Sequence, residues 1–163
     1  FPIMEINPTL KTTNRGFIMD QFQTLSLLQM ALNTNAIFTV ATFFILWVAF
    51  RFAGKMREGE STMLGRVLIT VFGLMIVWTG LLVGASRNLS FNAAASGLKA
   101  IKASGQTLSV QAEAFLTIPQ VSSATTTPQF SLFSDIPSLI FWLVVTIMLL
   151  SVIWMPVTSK KSS

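Results

Sequence analysis

Apolar residues fall along this chain in three long stretches, separated by segments in which polar and apolar positions alternate. The first, AIFTVATFFILWVAFRFA from Ala36 to Ala53, lies in a charge-free interval from Gln21 to Phe50 that ends at Arg51. The second, VLITVFGLMIVWTGLLVGAS from Val67 to Ser86, has Arg66 and Arg87 at its two ends. The third, PSLIFWLVVTIMLLSVIWM from Pro137 to Met155, is opened by Ser134, Asp135 and Pro137 and closed by Pro156. A helix rises about 1.5 Å per residue and must cross about 30 Å of hydrocarbon, so each stretch has the length of a span. The pattern predicts an all-α, multi-pass integral membrane protein with three transmembrane helices.

Two further segments have helical rather than continuous apolar periodicity. Ile18, Phe22, Leu25, Leu28 and Leu32 recur at spacings of three and four, with Asp20, Gln21, Gln23, Ser26 and Gln29 around the rest of the wheel. This predicts an interfacial amphipathic helix that turns at Asn33, Thr34 and Asn35. The competing reading is a straight extension of the first span beyond the bilayer. Before it, Phe1 to Gly16, with Pro2, Asn7, Pro8 and Asn14, reads as an extended arm. After the second span, Leu98, Ile101, Gly105, Leu108, Ala112 and Phe115 repeat the same spacing. They predict a second amphipathic helix from Ala94 to Thr117, weakened by Gly97 and Gly105 and stopped by Pro119. Gln120 to Ser134 is rich in Ser and Thr and reads as a loop draped on a partner or as a flexible linker.

Composition agrees with lipid as the solvent. Hydrophobic residues make up 52% of the 163, and charged residues only 10%, against about 25% charged in a soluble domain. The net charge of +5 would suggest nucleic acid in a soluble protein. Here the basic residues lie mostly beside apolar runs, so no nucleic-acid partner is expected.

Charge also sets an orientation. The connection from Arg51 to Arg66 carries Arg51, Lys55, Arg57 and Arg66, and the tail carries Lys160 and Lys161. Both are expected on the cytoplasmic side, with the N-terminus and the segment from Arg87 to Asp135 on the other. The chain opens on Phe1, with Met4 and Met19 downstream. Removal of a leader would agree with an outer N-terminus, and an upstream remnant before Met4 is the alternative. The resulting organisation is an extracytoplasmic arm and amphipathic helix (1–34), a transmembrane hairpin with a basic cytoplasmic loop at 51–66 (35–86), an extracytoplasmic connection (87–135), and the third span with its basic tail (136–163).

The residue types that are missing restrict the chemistry. There is no His and no Cys, hence none of the usual ligands for zinc, haem iron or iron–sulfur clusters, and no thiol nucleophile. No catalytic, cofactor or metal residues are expected. Glu58 and Glu60 beside Arg57 read as a solvated loop, and Asn88-Leu-Ser90 is a glycosylation sequon close to the membrane. Thr39, Thr42, Thr70, Thr79, Thr146 and Ser151 lie within the spans, where each hydroxyl can bond the carbonyl one turn back on its own helix. Gly73, Gly80 and Gly84 share one face of the second span and include a GxxxG step, a candidate for close helix packing with an internal or external partner. Trp47, Trp142 and Trp154, with Arg51, Arg66 and Arg87, are the candidate membrane-interface anchors.

These features point to a non-catalytic structural or accessory subunit of a larger membrane complex. Its expected partners are other membrane subunits and the lipid bilayer, with a second copy of the chain as an alternative. The competing classes are a pore-forming or holin-like oligomer, a hydrophobic component of a secretion or conjugation apparatus, and a virion membrane protein.

Overall fold

The computed structural model describes residues 8–58, 62–122, 124, 127–133 and 135–155, with side chains from Gln21 onward. Ser134, Pro156 and the basic tail at Lys160 and Lys161 lie outside the described residues, as do Glu60 and the first seven residues of the expected arm. Every described regular element is an α-helix: α1 (Pro8–Glu58), α2 (Met63–Ala103), α3 (Val110–Leu116), α4 (Pro119–Ser122) and α5 (Ile136–Trp154). Three of them, α1, α2 and α5, contain stretches long and apolar enough to cross a membrane.

The N-terminal half follows the competing reading, a straight extension of the first span, in place of an arm, a surface helix and a turn. One helix runs from Pro8 to Glu58, because nothing between Gly16 and Gly54 interrupts it. No Pro or Gly occurs in that interval, and polarity alone removes no backbone hydrogen bond. The triplet Asn33-Thr34-Asn35 is simply helical, with Gln29 Nε2 donating to Asn33 Oδ1 one turn on at 3.3 Å. Pro8, read as part of an extended arm, stands at the first helical position, where its fixed φ and missing N–H cost nothing.

The basic connection between the first two spans is likewise mostly helix. Arg51, Lys55 and Arg57 belong to α1 and Arg66 to the first turns of α2. The expected amphipathic helix from Ala94 to Thr117 is also corrected. Its first part continues α2, so that α2 has 41 residues and is about 60 Å long, twice the hydrocarbon thickness. The helix ends where Gly105 takes φ +82°, a left-handed conformation that residues with a Cβ rarely adopt. After the turn, Ser109 restarts the chain as α3, its Oγ accepting from Ala112 N at 3.2 Å. α3 ends at Leu116, ahead of Pro119 as expected, and Pro119 also opens α4. The third span matches its expected position, with Asp135 at the N-cap and Pro137 in the first turn.

The helices build two compact units, and both α1 and α2 contribute to each. Unit 1 combines residues 1–33 with 87–130. Its buried apolar side chains include Leu28, Ala94, Ala95, Leu98, Ala112 and Val121. Unit 2 combines residues 34–86 with 131–163. Its core brings Leu46, Ala49 and Ala53 of α1 and Ile69 and Ile76 of α2 onto Trp142, Val145, Leu149 and Ile153 of α5. The outward faces of these helices are also apolar, with Ile37, Val40, Leu68, Met75, Leu143 and Ile147 all exposed. A helix apolar on every side is one surrounded by lipid or by other helices.

Candidate helix-packing site

The glycine face of α2 has its neighbour within the same chain. A Cβ placed on Gly73 would overlap Leu149 Cδ2, and one placed on Gly80 would overlap the indole of Trp142. Gly84 is roomier, the same construction reaching Ser138 Oγ at 3.4 Å. The three glycines therefore line α5 along its length, and the two deeper ones give up their side chains to the two bulkiest groups facing them. Lipid supplies no hydrophobic drive between helices, so close van der Waals contact of this kind carries the association.

Trp142 takes part in that contact rather than anchoring the chain at the interface. It is 6% exposed, with its ring centroid 6.3 Å from Phe43 and 5.2 Å from Phe141. Trp47 and Trp154 remain well exposed. Trp154 also ties α5 to α2, its Nε1 donating to Thr70 Oγ1 at 3.1 Å. Arg51 and Arg87 are exposed and Arg66 is half-buried.

Six hydroxyls inside the spans are satisfied locally. Thr39, Thr42, Thr70, Thr79, Thr146 and Ser151 each donate to the carbonyl four residues earlier, at 2.7–2.9 Å. Their hydroxyls are committed to their own helices, the arrangement that hydroxyl side chains favour in hydrocarbon.

Unit 1 holds its short helices through side chains that carry no motif marking them for this role. Gln21, 7% exposed, accepts from Ser109 N at 3.0 Å through Oε1 and donates Nε2 to Thr107 O at 3.2 Å. Lys99 Nζ donates to the carbonyls of Ser122 at 2.9 Å and Ala124 at 2.7 Å, at the end of α4. Lys102 pairs with Glu113 at 2.8 Å, and Phe91 stacks on Phe115 at 6.1 Å. Asn88 of the sequon lies in the middle of α2, half-buried. This is unlike the exposed surface loop in which a sequon is modified.

Glu58 is exposed at the end of α1. Among the described residues, no group of three or more His, Cys, Asp or Glu side chains is placed to hold a metal ion. Comparison with protein-family models, with curated proteins and with solved structures finds no match to this chain.

Proposed function

We propose that this chain is a non-catalytic structural or accessory subunit of a larger membrane assembly. The observation that carries this reading is the treatment of polar groups in the spans. Six of the span hydroxyls, those of Thr39, Thr42, Thr70, Thr79, Thr146 and Ser151, are committed to carbonyls of their own helices, while large apolar side chains cover the outward faces. Such helices offer contact area and little that would hydrate a pore or move a proton. Unit 1 supports the same reading, because its polar side chains fasten backbone segments to one another. Mild-detergent extraction from the native membrane tests the proposal: different polypeptides should remain with the chain in a fixed ratio.

The proposed orientation places the hairpin end of α1 and α2 in the cytoplasm and the turn after α2 on the opposite side, since short basic connections stay inside. Thr62 and Ser104 are both exposed, and the chain has no native Cys. In intact cells, an impermeant thiol reagent should label Ser104→Cys and leave Thr62→Cys unmodified. The opposite labelling would invert the orientation.

A further inference from the structure

We infer that the outer face of α1 at its C-terminal end binds an anionic phospholipid headgroup through Arg51 and Lys55, with Trp47 seated below them. Trp47, Arg51 and Lys55 are successive fourth residues of one helix, so they share a face and rise about 6 Å from each to the next. All three are exposed. Trp47 is 60% accessible and packs its ring 6.0 Å from the equally outward Phe44.

The step from Trp47 to Arg51 matches the thickness of one headgroup layer, the roughly 5–7 Å by which each side of a bilayer exceeds its hydrocarbon. An indole at the hydrocarbon edge therefore leaves the guanidinium at phosphate depth, while the Lys55 backbone, about 12 Å from Trp47 along the axis, lies outside the layer and its long side chain reaches back toward the phosphate. Two cations one turn apart form a cradle for a single phosphate, with Arg51 able to bind it through two parallel N–H groups.

Neither cation is spent on the protein. Lys102 has a carboxylate and Lys99 two carbonyls, whereas Arg51 and Lys55 have no hydrogen-bond or ion-pair partner among the described residues. Glu58 shares their face three residues beyond Lys55, about 10 Å along the axis from Arg51, and so lies farther from the phosphate than either cation. Lys55 and Arg57 also complement the carbonyl end of α1. Arg51 is too far from that end to do so. Arg57 is equally exposed but projects on a different side of the helix, so charge at this end of the chain can be separated from charge on this face.

The test uses the full chain reconstituted in phosphatidylcholine bilayers containing a minor fraction of phosphatidylglycerol. The protein is extracted in mild detergent, and the lipids retained on it are counted by native mass spectrometry. Phosphatidylglycerol should be enriched over its bulk fraction by about fivefold, the scale set by one basic residue near an anionic surface. Enrichment should vanish in R51Q/K55Q, persist in the charge-preserving R51K/K55R, and persist in R57Q/R66Q, which removes as much charge off this face. Soluble glycerol phosphate should not displace the lipid. Retention at the bulk ratio, equal loss in both neutralised variants, or displacement by soluble glycerol phosphate would each overturn the assignment.

Discussion

Gly80→Leu is expected to unpack the transmembrane unit. The space a side chain would need at position 80 is filled by the indole of Trp142, which is itself buried and has no open side to move toward. Overpacking at such a site costs about 3 kcal/mol. Insertion should survive, because leucine makes the span more apolar. The defect should therefore appear as a membrane-integrated chain that unfolds at lower denaturant, followed by tryptophan fluorescence in micelles. The neighbouring positions give a graded control. Gly80→Ala should lose part of the stability and regain it when Trp142→Phe frees space, a coupling that a double-mutant cycle measures. Gly84→Ala should be nearly silent, since its added methyl meets Ser138 at ordinary contact distance. Equal stability of Gly80→Leu and the unaltered chain would mean that α5 does not pack on this face.

Leu98→Ala should release the outer helices from α2. Leu98 is 0% exposed and is the largest fully buried apolar side chain of unit 1, whose remaining buried set is mostly alanine. Removing it leaves a cavity costing about 2–5 kcal/mol. A small core holding two helices of seven and four residues has little in reserve against such a loss, since helices this short do not persist on their own. Hydrogen exchange should show the amides of 110–122 losing protection. Protection equal to that of the unaltered chain would show that the polar ties from Gln21, Lys99 and Lys102 suffice to hold α3 and α4.

What was legible in the sequence was the part governed by local pattern. The spans follow from uninterrupted apolar runs, and the third begins at its Asp135 and Pro137 signals. The self-bonded hydroxyls follow from the chemistry of Thr and Ser in hydrocarbon. The glycine face was visible as a spacing, but its occupant was not, because Trp142 lies 62 residues from Gly80 and Leu149 lies 76 from Gly73 in the chain. A tryptophan near the end of a span is compatible with both a wet interface and a dry contact, and only the neighbour at Gly80 decides for Trp142.

The two departures from the sequence reading have a common cause. At the polar triplet 33–35 the competing straight extension holds in place of a turn, and the periodicity across 94–117 is divided between two helices. Helix continuity depends on backbone hydrogen bonds rather than on which side chains are polar. Asn33, Thr34 and Asn35 continue the helical ladder, whereas at Gly105, in the left-handed region, the N–H turns to the carbonyl of Lys102 and the helix ends. Apolar spacing passed through that break unchanged because residues on both sides, Leu98 and Ala112, are buried in the same unit. The Gln21 clamp had no signal of its own. One glutamine on a mixed helix gives no sign that its amide will bond the backbone of residues 107 and 109, 86 and 88 positions on.

The composition of the particle released from the native membrane tests the contact role most directly. Its mass in mild detergent, with the identity and ratio of its polypeptides, should show a heteromeric complex in which this chain occurs at fixed stoichiometry. A particle whose mass is a whole multiple of this chain alone, and which conducts stepwise current when fused into planar bilayers, would contradict the account and make the chain a pore in its own right.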